Sequence, residues 1–302
     1  MIVMGTGGVG GYFGGRLASY GEDVTFIARG EHLHAIREHG LQVYSPHHGD
    51  LVVKPAQVTD DPREAGPVDL VMLSVKSWDT EEAGKALQPV VRDNTAVISF
   101  QNGVDNEEKL SAILGRQHVM GGAAYVESTI SEPGVIHQQS AMAKLVFGEL
   151  DGRVTPRAEA FLNAYQNAGI DAELSTNIQT ELWSKFLFIC ALSGMTSLIR
   201  TPIGPILQDP DTRQMFADCM REVKAVARAQ GISLPEGIVE ERLTFADRLL
   251  PEMKSSMQRD LERGHRLELD ALNGTVVRLG RELGVDVPVN HFIYAALKLH
   301  AG

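Results

Sequence analysis

The chain is poor in cysteine and in positive charge. Cys190 and Cys219 are the only cysteines among 302 residues, too few for a disulfide framework or a metal cluster. Lys and Arg number 28 against 39 Asp and Glu, giving a formal net charge of −11. This balance argues against a nucleic-acid partner, which needs a basic face, but it leaves room for a local basic pocket around a phosphate.

Long apolar runs and targeting signals are also missing from the sequence. No stretch of about 18 uncharged apolar residues occurs, so no membrane span and no membrane partner are expected. The start lacks the basic region of a signal peptide, and its apolar residues read as a first strand. The expected compartment is therefore the cytoplasm.

The glycines near the start organise the chain. Gly5, Gly7 and Gly10 are spaced as G-x-G-x-x-G after the apolar segment Met1–Met4, and a small, apolar helical pattern follows. In such a turn the first glycine allows the bend, the second lets a pyrophosphate approach, and the third lets the helix pack on the strand. The motif predicts a dinucleotide site, with a plain glycine turn as the alternative.

The order of elements predicts two domains. Up to residue 175, strands alternate with helices, including buried strands at 68–75 and 95–100, separate strands at 135–137 and 143–147, and a hairpin or meander over 41–56. This order is typical of a Rossmann-like doubly wound α/β sheet. Beyond it only helices are predicted, over 180–197, 211–230, 236–249, 260–283 and 290–300. The predicted domains are 1–175, which binds NADP, and 176–302, an all-α substrate and catalytic domain.

Arg29 follows the second strand, where a dinucleotide fold holds the adenosine ribose. An acid at this point hydrogen-bonds the 2′-OH of NAD, whereas an arginine accommodates the 2′-phosphate of NADP. No acid ends this strand, so NADP is predicted over NAD. The alternative is a solvated loop arginine.

The segment 31–40 contains His32, His34 and His39, whose spacing lacks the pattern of a zinc helix. We therefore predict no metal site and interpret the three histidines as part of a solvated helix face.

Two further polar side chains are predicted at strand ends of the first domain. Lys76 and Asn102 should face the same crevice as the glycine turn, because open α/β sheets bind ligands at the carboxyl ends of their strands. Lys76 can place a positive charge near a phosphate or carboxylate, and Asn102 offers a donor and an acceptor. The alternative for each is an ordinary polar residue that ends a strand.

Lys185 stands out in the helical domain because Trp183, Phe186, Leu187 and Phe188 surround it in the sequence. Such a lysine is either snorkelling or partly desolvated. Desolvation lowers an amine pKa and makes the group a useful proton donor near neutrality. Farther on, Ser255 and Ser256 could hydrogen-bond a small carboxylate, and Glu268 by itself reads as a solvated helix carboxylate.

Seven segments, in order, make the chain similar to the 2-dehydropantoate 2-reductase (ketopantoate reductase) family over nearly its whole length. They are Gly5–Gly10, Ala28–Gly30, Ser74–Trp78, Gln101–Gly103, Trp183–Phe186, Lys254–Met257, and Glu268 ahead of Asn273–Gly274. The resemblance implies NADPH-dependent reduction of ketopantoate to pantoate, a step toward pantothenate and coenzyme A.

The resemblance also implies roles for individual residues. Lys185 is the general acid that protonates the carbonyl oxygen of the 2-oxo acid, with Asn102 and Ser256 also on the substrate. The implied cofactor-binding residues are Gly5, Gly7, Gly8, Val9, Gly10, Arg29, Lys76, Asn102 and Glu268.

The chain departs from the family four and eight residues after Lys185. Well-understood members carry Asn at both positions, where this chain has Ile189 and Ser193. The resemblance places both residues in the substrate site. Ile189 cannot hydrogen-bond a substrate hydroxyl, and losing such a group weakens discrimination. The alternatives are a paralogue that reduces another 2-oxo acid, a non-catalytic NADP-binding sensor or interaction protein, and a dehydrogenase that oxidises a hydroxy acid. The apolar helical domain is compatible with a homodimer.

Overall fold

A computed structural model describes residues 1–300 and divides the chain into two compact units. The first unit contains Met1–Gln101 and Asp105–Ile178. The second contains Asn102–Val104 and the chain from Gln179 onward.

The first unit is built on one ten-stranded mixed sheet, in the order β4-β3-β9-β8-β7-β6-β1-β2-β5, with β10 paired to β9. The strands are β1 (Ile2–Met4), β2 (Thr25–Ile27), β3 (Leu41–Tyr44), β4 (Leu51–Val53), β5 (Gln57–Thr59), β6 (Leu70–Leu73), β7 (Ala96–Ser99), β8 (Val119–Glu132), β9 (Val135–Glu149) and β10 (Asp171–Leu174). Its helices are α1 (Gly8–Tyr20), α2 (Gly30–His39), α3 (Thr80–Leu87), α4 (Asn106–Leu114) and α5 (Pro156–Asn167).

The central strands β1, β6 and β7 are parallel to their neighbours and buried on both faces. On one face Val3 belongs to a cluster with Phe13 of α1. On the other, Ile2 clusters with Leu87 of α3 and Leu110 of α4. Helices therefore cover both faces of a continuous apolar layer, which is why these strands lack polar alternation.

Two strand predictions were wrong in detail. The segments predicted at 135–137 and 143–147 belong to one strand, β9, which pairs antiparallel with β8 across a register shift. Polar residues between the two apolar segments hide this continuity, because that part of the strand is partly exposed. The short strands β5 and β10 were not predicted; each has a single partner in the sheet.

The second unit is helical, as predicted. Its helices are α6 (Ile178–Ile199), α7 (Ile203–Gln208), α8 (Pro210–Ala229), α9 (Ile238–Ala246), α10 (Ser256–Glu262), α11 (Thr275–Leu283) and α12 (Pro288–Leu297). By length and composition alone α6 could cross a membrane, but 78% of its most apolar window is buried inside the protein. It supplies much of the helical unit's core, including Phe186, Leu187 and Met195.

The predicted helix over 260–283 was wrong. The chain leaves α10 after Glu262 and passes through Gly264 at φ +67°, a left-handed conformation that glycine adopts readily. It then forms one π-helical turn, Asp270–Gly274, in which Leu272 departs from helical angles, before α11 begins. Glu268 consequently lies in an irregular connection between two helices.

The predicted combination of a Rossmann-like sheet and a following helical region is confirmed.

Candidate functional site

Parallel strands of the first unit bring three of the predicted residues to one edge of the sheet. Gly5 follows β1, Arg29 follows β2 and Lys76 follows β6. Because β2, β1 and β6 are parallel neighbours, their carboxyl ends lie side by side, at the edge where open α/β sheets bind ligands.

The three motif glycines have distinct physical roles. Gly5 has φ +99°, and a Cβ on it would lie 2.8 Å from the Val75 nitrogen. A Cβ on Gly10 would clash with the Gly5 carbonyl oxygen and the Ser74 hydroxyl. Gly7, by contrast, faces open space, with nothing within 4 Å of the Cβ position. The turn is thus tight at its first and third glycines and open at the second, as a pyrophosphate requires.

Hydrogen bonds fix this glycine turn to the sheet. The Ser74 hydroxyl donates to the Gly5 carbonyl at 2.8 Å, and the Thr6 hydroxyl donates to the Ile27 carbonyl at 2.9 Å. On the outer side, Gly8 packs so closely against the Ser128 backbone that no side chain would fit. Val9 packs against the apolar core of the unit.

The glycine turn leads into the N terminus of α1, whose first backbone N–H groups are available to a ligand. Gly7 precedes the helix, and within the described chain no side chain caps it. The first N–H groups and the positive end of the helix dipole can therefore meet an anion. These features fit the pyrophosphate of a dinucleotide.

Arg29 lies immediately before α2 and forms an ion pair with Glu82, with 3.0 Å between nitrogen and oxygen. Both side chains are exposed, at 65% and 69%. Exposed pairs of this kind contribute little to stability, so the guanidinium can exchange its partner for a phosphate at small cost.

Gln101, predicted only as part of a motif, organises the loop that carries Lys76. Its buried amide nitrogen donates to the Val75 carbonyl at 3.0 Å and to the Thr80 hydroxyl at 2.8 Å. Ser99 of β7 donates to its amide oxygen. The Lys76 ammonium lies 5.7 Å from the centroid of the Trp78 ring, within cation–π range. A buried amide thus ties the end of β7 to the Lys76 loop.

Asn102 follows Gln101 directly but groups with the helical unit, where nearby Val104 packs against the apolar core. Its side chain is half-buried.

Helix α6 places Lys185, Ile189 and Ser193 on one face, because they follow one another at four-residue spacing. Lys185 and Ile189 are partly exposed, while Ser193 is buried. The two positions at which the chain differs from the family it resembles therefore lie on the face that carries the lysine.

Lys185 is electrostatically unusual. Solvent reaches part of the side chain, but desolvation among its apolar neighbours lowers the pKa of Lys185 from the ordinary value of 10.5 to about 8, and the negative charge of Glu268 opposes that shift. The result is an ammonium that is charged at neutrality yet gives up its proton far more readily than a surface lysine.

A buried amide fixes the segment after Glu268 to α6. Asn273 is fully buried, and its Nδ2 donates to the Cys190 carbonyl at 3.3 Å and to the Asn290 side-chain oxygen at 2.9 Å. Gly194 leaves the space that Asn273 fills, because a Cβ there would lie 3.0 Å from the amide. The π-helical turn thereby anchors the connection that carries Glu268.

Ser256 is the first residue of α10 and is exposed. Its neighbour Ser255 is the buried one: it accepts from the Gln258 N–H and shares a 2.8 Å hydrogen bond with Thr196. Ser255 therefore caps the helix, and Ser256 is the hydroxyl that reaches solvent.

The interpretation of three solvated histidines was wrong for one of them. His34 and His39 are exposed, but His32 is half-buried and hydrogen-bonded through both ring nitrogens.

Two family models together match most of the chain. One, described as ketopantoate reductase PanE/ApbA, matches residues 1–152, and its C-terminal counterpart matches residues 177–301.

Individual relatives match along almost their full length. An uncharacterized oxidoreductase, YkpB, of Bacillus subtilis is 32% identical over 99% of this chain and 98% of its own. The 2-dehydropantoate 2-reductase of Archaeoglobus fulgidus is 31% identical over 95% and 93%. The crystal structure of 2-dehydropantoate 2-reductase from Geobacter metallireducens superposes with a TM-score of 0.92 at 30% identity, covering 99% of each chain.

Proposed function

The chain belongs to the ketopantoate reductase PanE/ApbA family, and on that premise we propose that it reduces ketopantoate to pantoate with NADPH. Membership makes it an oxidoreductase that uses a nicotinamide cofactor and acts on a small 2-oxo acid. The proposal adds the particular acid, the choice of NADPH, and the residues that act.

The observation that carries the proposal is the lowered pKa of Lys185, on a helix face that solvent partly reaches. A bound nicotinamide supplies the hydride that reduces the carbonyl carbon. The carbonyl oxygen then needs a proton, and a lysine with a pKa of about 8 is charged at neutrality yet ready to donate. Its positive charge also stabilises the negative charge that develops on that oxygen.

The other predicted residues have supporting roles in this proposal. The glycine turn, from Gly5 through Gly8 and Val9 to Gly10, would hold the pyrophosphate, and Arg29 the 2′-phosphate. Lys76 and Asn102 would contact cofactor or substrate, and Ser256 would hold the substrate. Glu268 would sustain the charge of Lys185, since its carboxylate raises the lysine pKa against burial. A cytoplasmic location and a homodimer stay predictions.

A second candidate is reduction of a different 2-oxo acid, favoured by Ile189. This partly exposed side chain lies on the same face of α6 as Lys185 and packs against apolar core residues. An apolar group cannot satisfy the hydroxyl of ketopantoate, so a branched acid without that hydroxyl would suit it better.

The test is a substrate panel with purified protein and NADPH, following the loss of NADPH absorbance. Ketopantoate and trimethylpyruvate form the key pair, because they differ only in the hydroxyl. Turnover that prefers ketopantoate supports the proposal, and a preference for trimethylpyruvate supports the second candidate. Tight NADPH binding without turnover of any oxo acid would overturn both in favour of a sensor.

A further inference from the structure

His32 joins three segments of the first unit. It lies near the start of α2, three residues after Arg29. Its Nε2 lies 2.8 Å from the carbonyl oxygen of Thr6, inside the glycine turn. Its Nδ1 accepts, at 2.9 Å, from the backbone N–H of Gly134 in the turn between β8 and β9.

These two partners fix the tautomer of the ring. A carbonyl oxygen can only accept, so Nε2 must carry the hydrogen; a backbone N–H can only donate, so Nδ1 must keep its lone pair. The ring is therefore neutral and protonated at Nε2. Burial lowers the pKa of His32 and favours the same neutral form.

Because both ring nitrogens are engaged, His32 has no lone pair for a metal and no free position for proton transfer. Its chemistry is that of a two-sided connector between backbone groups. A side chain with only a donor, or only an acceptor, could make one of the two bonds.

The connected segments are those that a dinucleotide would touch. Thr6 lies between Gly5 and Gly7, and its N–H and hydroxyl already bind the Ile27 carbonyl at the end of β2. The hairpin β8–β9 is linked to the glycine turn through His32, and it also contacts that turn directly, where Ser128 packs on Gly8. Close packing continues at the hairpin turn, since a Cβ on Gly134 would lie 3.1 Å from Ala35 of α2.

We propose that His32 is a positioning residue for the cofactor: it holds the glycine turn in register with the start of α2, and so the pyrophosphate site in register with Arg29. The inference rests on the proposed function only in that the chain binds NADPH at this turn. Loss of His32 would leave the glycine sequence intact but allow the turn and α2 to move apart.

The experiment compares His32→Leu with His34→Leu, an exposed histidine two residues along the same helix. We expect His32→Leu to raise the NADPH Kd about tenfold, from two lost backbone hydrogen bonds. Its kcat at saturating NADPH should stay near the parent value, and His34→Leu should leave both quantities unchanged. An unchanged Kd in folded His32→Leu, or a fall in kcat alone, would overturn the inference.

Two further measurements keep the test decisive. If His32→Leu fails to fold, ¹⁵N NMR of the unaltered protein reports the tautomer directly; a ring protonated at Nδ1 would contradict the connector role. Failure of the parent protein to bind NADPH would count against the proposed function, whereas equal binding by parent and His32→Leu would count only against His32.

Discussion

Ile189 lies one helical turn beyond Lys185 on α6, and between residues 182 and 197 these are the two positions that solvent partly reaches. An ammonium with a lowered pKa is thus followed, on the same face, by a branched apolar side chain. In the proposed function, a substrate whose ketone oxygen contacts Lys185 would place the groups next to that ketone near Ile189.

Substitution of Ile189 by Asn should therefore change substrate preference. We expect Ile189→Asn to raise kcat/KM for ketopantoate relative to trimethylpyruvate by about tenfold or more, since a polar partner for the hydroxyl is restored. Steady-state kinetics on the two acids measure the ratio. Ile189→Leu is the matched control and should leave it unchanged; an Asn variant with the same ratio as Leu would show that position 189 does not contact the distinguishing hydroxyl.

The pH dependence of reduction should report Lys185. Since the acid form is required and its pKa is about 8, kcat/KM should be level below that pH and fall as the pH rises through it. Glu268→Gln should move this alkaline limb to lower pH, because the carboxylate raises the lysine pKa. Lys85→Ala, on the exposed face of α3, serves as the control and should leave the profile unchanged. If the alkaline limb stays at the same pH in Glu268→Gln, the limb does not report the Lys185–Glu268 pair.

Cofactor choice should depend on Arg29. Arg29→Ala should weaken NADPH binding by about ten- to a hundredfold while leaving NADH affinity nearly the same, because only the 2′-phosphate loses its partner. Fluorescence titration with both cofactors measures this. Glu82→Gln should strengthen NADPH binding slightly, since it releases Arg29 from an exposed ion pair. Equal losses for NADPH and NADH in Arg29→Ala would contradict the assignment.

Glu107 should make stability fall as the pH rises. This carboxyl of α4 is buried, and burial raises its pKa from 4.5 to about 8; its Oε2 has no hydrogen-bond partner among residues 1–300. The folded state therefore holds the proton more tightly than the unfolded chain. Glu107 leaves the free energy of unfolding unchanged below pH 4.5 and lowers it progressively as the pH rises from 4.5 toward 8.

Glu107→Gln should accordingly raise the free energy of unfolding by about 1–3 kcal/mol at alkaline pH, and by much less in acid. Urea denaturation at two pH values tests this. Glu108→Gln changes the adjacent, exposed carboxylate and should have no such pH dependence. The same gain at both pH values would mean that packing, not ionisation, explains the effect.

The sequence predicted those parts of the fold and site whose signal is local. The glycine turn, the buried strands around Leu70–Leu73 and the apolar α6 each follow from neighbouring residues. The π-helical turn after Glu268 did not, because Asn273 takes its partners from Cys190 and Asn290, which are distant in the chain. His32 was misjudged for the same reason: Gly134 lies 102 residues away. The break before Glu268 did have a local signal, Gly264, which the predicted helix over 260–283 passed over.

The most direct test of the central claim is the amount of pantoate formed per NADPH consumed when purified protein is given ketopantoate, with Lys185→Ala measured alongside. We predict one pantoate per NADPH, and a kcat about a hundredfold to ten-thousandfold lower in the variant with NADPH affinity nearly unchanged. No pantoate from the parent protein, or full activity in Lys185→Ala, would contradict the account.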